Sequence, residues 1–171
     1  MLTLIKPTPS LKEDFLSMIL DYRSKSEFFV YHDLAMMDFG LYLKDVEQAE
    51  LGQNLKPGYV SQNTFWLVLD EKTIVGESRL RHSLTAMLEI EGGHIGYAIR
   101  PSQRLNGYGT QILKFTLVEA VRLGLQKVLV TCDADNLGSQ KIILTNGGIF
   151  DGENISPNSR KWVRRYWVPV P

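Results

Sequence analysis

Residues 94–115, HIGYAIRPSQRLNGYGTQILKF, decide how this chain is read. Ile95, Tyr97 and Ile99 alternate with other residues, as in a strand with one buried face. Pro101 ends that pattern, because proline has no N–H to give to a sheet. A basic, glycine-rich turn follows, and from Thr110 the apolar residues recur at helical spacing. Such a strand-to-helix junction presents the first free N–H groups of the helix, and the positive end of its dipole, at the mouth of the turn. Phosphate binds there without any net positive charge on the protein. Gly107 and Gly109 let backbone approach a ligand with no Cβ between, and Arg104 adds a charge-assisted donor.

A local site is what the composition demands. Lys+Arg and Asp+Glu are balanced at 19 each, so net charge gives no general attraction to nucleic acid or to an anionic membrane. The 171 residues fit one domain spanning 1–171, and with 44% hydrophobic residues the chain can bury a core. The single Cys132 rules out an internal disulfide and a multi-cysteine metal site. His32, His82 and His94 have no metal-ligand spacing, so no metal is expected. The N-terminal MLTLIKPTPSLKEDF meets lysine and proline before a signal-peptide core forms, and no run approaches the ~18 apolar residues of a membrane span. A cytoplasmic protein is the expectation.

Outward from the central stretch, Leu2 to Thr8 reads as a first strand. Ser10 is the expected N-cap, with Glu13 as its capping-box partner, of a helix carrying Phe15, Ile19, Leu20 and Tyr22. A second helix is expected over 34–51, with Met37, Leu41, Val46 and Ala49 inward. The segments 64–70 and 73–84 flank Glu71-Lys72 and predict an antiparallel hairpin. Residues 89–100 predict a strand interrupted at Gly92-Gly93, and 110–124 a helix. Lys127 to Cys132 is the short apolar run of a strand covered on both faces. A helix over 136–145 and strands over 149–153 and 161–168 complete one mixed α/β sheet.

Three phosphate motifs compete for the turn. A P-loop needs a lysine that Gly109-Thr110-Gln111 does not offer. A dinucleotide fingerprint needs a small residue where Ile112 stands, although Asp133 lies at the distance of a ribose-binding acid. Arg104-Leu105-Asn106-Gly107-Tyr108-Gly109 matches Gln/Arg-x-x-Gly-x-Gly/Ala and follows an apolar strand. This resembles the pyrophosphate motif of the GNAT superfamily, the Gcn5-related N-acetyltransferases. Downstream, KVLVTCDADN ends in Asn136, followed by Ser139 and Asn146-Gly147-Gly148, similar to that family's Asn-x-x-Ala/Ser-x-x-x-Tyr-x-x-x-Gly-Phe segment. The element order matches nearly the whole chain.

The resemblance implies a three-layer α/β/α fold, with a mixed, largely antiparallel sheet splayed between its two central parallel strands. It implies an enzyme that moves an acetyl group from acetyl-CoA to a primary amine of a small molecule or protein, by direct attack on the thioester. Pantetheine would pair with backbone around Tyr97 to Ile99. The loop of Arg104, Leu105, Asn106, Gly107, Tyr108, Gly109 and Thr110 would wrap the pyrophosphate, with Asn136 and Ser139 beside the pantetheine. A backbone N–H near Ile99 would polarise the acyl carbonyl. Homodimers are common in the family.

An attacking amine must lose a proton, and Glu77, Glu89, Glu91 and His94 are the candidate bases. A solvated strand face is the plainer reading of each. The family's tyrosine is replaced by Ile143, which cannot protonate the leaving thiolate. The thiolate then leaves unassisted, or Tyr97 or Tyr166 substitutes, or the domain binds acyl-CoA without catalysis. A nucleotide-dependent oxidoreductase is the third reading, carried only by the glycines and Asp133. Phe28, Phe29, Tyr31 and His32 fall where the family has a wall of the acceptor site, or they form a helix-junction core. Cys132 reads as packing, and the basic cluster Arg160, Lys161, Arg164 and Arg165 as a charged strand edge.

Overall fold

A computed structural model describes residues 1–28 and 30–171, and for residues 30 and 31 the backbone alone. Phe29 and the side chain of Tyr31, weighed above as acceptor wall, lie outside the described residues. The strands are β1 (Leu2–Ile5), β2 (Gln62–Leu69), β3 (Thr73–Arg81), β4 (Ile95–Ile99), β5 (Lys127–Asp133), β6 (Ile149–Ile155) and β7 (Trp162–Pro169). The helices are α1 (Lys12–Ser24), α2 (Val30–Met37), α3 (Phe39–Glu50), α4 (Ala86–Ile90), α5 (Tyr108–Arg122) and α6 (Leu137–Thr145). All seven strands form one sheet in the order β1-β2-β3-β4-β5-β7-β6, with β4 and β5 parallel and the other neighbours antiparallel.

Alternation divides the side chains of the sheet between two helical layers. Trp66, Val68, Ile74 and Ala98 pack with Phe15, Met18, Ile19, Tyr22, Phe39 and Tyr42 of α1 and α3. Phe15 stacks on Trp66 with 4.5 Å between ring centroids. On the opposite face, Leu67, Val75, Leu80, Ile95 and Val130 pack with Ile112, Leu113, Leu117 and Ile143 of α5 and α6. The expected α/β/α layering is what forms.

Several local expectations are corrected. Thr8, not Ser10, caps the chain after β1, accepting from Ser10 N–H at the head of a short 3-10 turn, Pro9–Leu11. Leu20 points outward. The helix expected over 34–51 is broken at Asp38, whose extended backbone and side chain cap α3 by accepting from Leu41 N–H at 3.0 Å. Met37 and Leu41 are consequently exposed. Residues 89 and 90, expected to begin a strand, belong instead to α4, which Thr85 caps and in which Ala, Met, Leu and Glu are good helix formers. Among the described residues no helix is long and apolar enough to cross a membrane.

The feature that positions the site is the parting of β4 from β5. Their register holds one pair, Ile95 with Val130. At that base His94 bonds twice to Leu129: its N–H donates to Leu129 O at 2.7 Å, and its Nδ1 accepts from Leu129 N–H at 2.9 Å. Gly93 lets the two backbones touch, since a Cβ there would stand 2.3 Å from Leu129 O. Beyond Ile95 the strands diverge into a V.

Candidate active site

The β4 wall of the V carries usable backbone. Arg100 N–H donates to Val75 O on β3, so by alternation the N–H and C=O groups of Tyr97 and Ile99 face β5. No β5 residue is in register with either. Pro101–Gln103 form a 3-10 turn, and Gly107 then adopts a left-handed conformation, φ 80°, as the N-cap of α5. Glycine supplies no capping side chain, and the first bond back into the helix is from Gln111 N–H to Gly107 O. The N–H groups of Tyr108, Gly109 and Thr110 are thus the orphan donors of the helix end. Leu105 is left-handed and fully exposed beside them.

The glycines and the arginine divide this labour differently from expectation. Gly107 makes the turn, but Gly109 makes room for α6: a Cβ there would stand 2.4 Å from Ile142 Cδ1. Arg104 does not point to the helix end as a ready donor. Its Nη1 and Nη2 hold both oxygens of Glu27 at 2.7 and 2.6 Å, and its Nε donates to Ile99 O at 3.2 Å. Arg100 likewise reaches Asp14, Ser17 and Asp21 of α1. Burial works to raise the pKa of Asp21, but hydrogen bonds from Ser102 and Arg100 outweigh it and hold the carboxyl below its ordinary range. The loop is thereby clamped to α1, with its backbone donors left facing outward.

Glu77 stands on β3 opposite Ala98 of β4 and is 3% exposed. His32 Nε2 lies 3.2 Å, and Arg79 Nη2 3.3 Å, from Glu77 Oε1. Glu77 Oε2 is buried and has no hydrogen-bond partner among the described residues. Burial would raise its pKa, but the Arg79 charge and the His32 bond prevail and keep it below the usual carboxylate range. The carboxylate is ionised at neutral pH. It lines a cavity of about 170 Å³ bounded by Glu77, Ser78, Arg79, Arg81, Gly96, Tyr97 and Ala98. That volume takes several waters or a small polar group.

The other candidate bases are elsewhere. Glu89 is exposed on α4. Glu91 accepts from Ser156 Oγ and Asn158 Nδ2, tying the β6–β7 turn to the start of β4. His94 has its Nδ1 occupied by Leu129 N–H. Tyr97 points to the α5–α6 side, where its phenol oxygen is 2.8 Å from Ser139 Oγ. Burial raises the phenol's pKa, with the Ser139 bond acting the other way. Asn136 caps α6, its Oδ1 accepting from Ser139 N–H at 2.9 Å. Ile143 is fully buried against the sheet. Cys132 is buried too, its thiol pushed up to about 11 by burial. Among the described residues no group of three His, Cys, Asp or Glu is placed to hold a metal ion.

Sequence reading did not single out Arg79, Arg81 or the His32–Glu77 pair. The run GESRLR carried a signal: charges at 77, 79 and 81 alternate along a strand whose neighbours are buried.

No curated protein is similar enough in sequence to match the chain. Solved structures do match its fold. RimJ of Mycobacterium smegmatis, in complex with CoA disulfide, superposes with a TM-score of 0.74 at 13% identity, over 98% of this chain and 81% of its own. The ribosomal-protein-S5-alanine acetyltransferase of Vibrio fischeri gives 0.72 at 14% identity, over 99% and 93%. YncA of Salmonella typhimurium, a putative acetyltransferase with its cofactor acetyl-CoA, gives 0.66 at 12% identity, over 99% and 94%. The family model of the acetyltransferase (GNAT) domain matches residues 2–149. With the splayed parallel pair and the glycine-turned helix end in place, the chain belongs to the acetyltransferase (GNAT) domain family.

Proposed function

We propose that this protein transfers an acetyl group from acetyl-CoA to a primary amine. The observation that carries the reading is the buried Glu77 carboxylate, with one oxygen unpartnered among the described residues, beside the open edge of β4. The residues fit the donor. The orphan N–H groups of Tyr108, Gly109 and Thr110 suit a pyrophosphate, with Leu105 and Asn106 framing the turn, and the β4 edge at Tyr97 and Ile99 suits an amide-bearing arm. Asn136 and Ser139 stand across the V on α6. Acetyl-CoA, when bound, supplies a thioester.

Glu77 Oε2 holds the incoming amine and takes a proton from it. A carboxylate with a depressed pKa is a weak base, but the nitrogen's protons become far more acidic once it bonds to carbon. The Ile99 N–H supports the negative charge growing on the acyl oxygen. Tyr97, neutral and bonded to Ser139, is the proton donor toward the departing sulfur, in place of the tyrosine that Ile143 replaces. The single buried Cys132 suits a reducing, cytoplasmic setting.

Ile143 favours a second reading, a domain that binds acyl-CoA without turnover. Thermal shift with acetyl-CoA, CoA and NAD, followed by thiol release over an amine panel, tests both. Stabilisation by acetyl-CoA with turnover supports transfer, and stabilisation without turnover of any amine supports the binding module. Stabilisation by NAD alone overturns both and favours an oxidoreductase.

A further inference from the structure

Glu77 is held from two directions. Arg79, two residues on along β3, reaches Oε1 at 3.3 Å, and His32 Nε2 reaches the same oxygen at 3.2 Å from the helical layer. An ionised carboxylate only accepts, so Nε2 carries a ring proton and donates it. The second oxygen, Oε2, takes no bond among the described residues. Both contacts thus fall on one oxygen and leave the other for the acceptor.

The His32 ring is itself fixed. It is buried, with Phe15 edge-on at 5.7 Å and Tyr22 at 5.4 Å between ring centroids. The next residue, Asp33, accepts from Arg23 Nη2 of α1 at 2.8 Å, and Ala35 packs into the core with residues of α1 and α3. These contacts keep α2, and the ring with it, over Glu77. His32 is not among the described residues that line the cavity, so it acts on Glu77 and not on the acceptor. The groups around the carboxylate come from four other directions. Tyr22 of α1 and Tyr42 of α3 are phenols that burial keeps neutral. Arg79 and Arg81 stand on β3, and β4 presents Gly96 and Ala98, which do not titrate.

We propose that His32 is a positioning residue for the transfer: its Nε2–H fixes Glu77 Oε1, so that Oε2 meets the incoming amine. The proposal rests on the acetyl transfer proposed above, with Glu77 as its base, and adds the residue that sets the geometry of that base.

Side-chain length makes the test. A glutamine amide nitrogen stands where histidine Nε2 stands and donates to Oε1, whereas an asparagine amide falls short of it. Thiol release from acetyl-CoA is measured across pH, with two reactive amines, for the wild type, His32→Gln and His32→Asn. His32→Gln is expected to keep kcat within about threefold, and His32→Asn to lose about tenfold or more, the size of one bond to a charged group. The Kd for acetyl-CoA is unchanged in both. Losing the bond also lets burial raise the Glu77 pKa. In His32→Asn an acid break at one pH for both amines therefore moves up toward neutrality, which a packing role alone would not cause. Should His32→Asn fail to fold, His32→Gln decides alone: near wild-type kcat supports the proposal, and a loss of about tenfold at unchanged Kd overturns it. Equal losses in the two variants, or no loss in either, overturn the proposal but leave acetyl transfer standing. Full turnover by Glu77→Gln, or no turnover of any amine by the wild type, removes the underlying reading and this proposal with it.

Discussion

Tyr97 and Ser139 meet across the V, phenol oxygen to Oγ at 2.8 Å, joining β4 to the first turn of α6 above the last β4–β5 pair. The contact puts a neutral O–H on the cleft at a point where Ile143, buried in the core, offers none. Tyr97→Phe is therefore expected to lower kcat by about a hundredfold, the lower range for a lost general acid. Acetyl-CoA affinity, measured by calorimetry, should not change. Full kcat in this variant would mean that the thiolate leaves without the phenol.

The depressed pKa of Glu77 makes a statement about pH. The group is ionised throughout the neutral range, so it does not set the acid limb of kcat/KM. That limb should instead follow the acceptor's own ammonium group. Profiles with two reactive acceptors whose amines differ by about one pKa unit should be displaced by about one pH unit. A limb fixed at the same pH for both would assign it to the enzyme.

The strand-to-helix junction was legible because its cause is local. Free N–H groups and two glycines announce an anion site wherever a strand feeds a helix, and Gly107 and α5 stand as that pattern requires. The layers were legible for the same reason, through the alternation of Ile95, Tyr97 and Ile99 in β4 and the continuous apolar run of β5. Arg104 was misjudged because its partner, Glu27, lies 77 residues away. The pairing of His32 with Glu77 spans 45 residues, and no periodicity reports such contacts. Glu91 looked like a base from its strand-like neighbours, and only the return of the β6–β7 turn shows it bonded to Ser156. The split of one long helix into α2 and α3 turns on a single side chain, Asp38.

His94 links stability to pH. Its Nδ1 accepts from Leu129 N–H, which a protonated ring cannot do, and burial together with the Arg81 charge lowers its pKa from the ordinary value of 6.5. The unfolded chain binds this proton more readily than the folded one. The contribution is thus fully present above about pH 6.5 and is lost as pH falls through that value toward the folded pKa. His82, lowered mainly by burial, acts in the same direction. Urea midpoints should decline from about pH 7 to 5, and His94→Gln should flatten the decline. An unchanged slope in that variant would remove His94 from the account.

Two left-handed glycines should respond differently to alanine. Gly107, φ 80°, has nothing within 4 Å of a built Cβ, so Gly107→Ala bears only the conformational cost, roughly 1–2 kcal/mol. At Gly93, φ 59°, the Cβ would also meet Leu129 O at the joint of β4 and β5, adding about 1–3 kcal/mol. Equal losses in urea denaturation would mean that the joint is looser than described.

The most direct test of the central claim is acetyl-CoA thiol release by the wild-type protein and Glu77→Gln, with the best acceptor and with the acetyl-CoA Kd measured alongside. Loss of kcat/KM by about a hundredfold or more, at unchanged Kd, is the predicted result. Turnover by Glu77→Gln at the wild-type rate would contradict it.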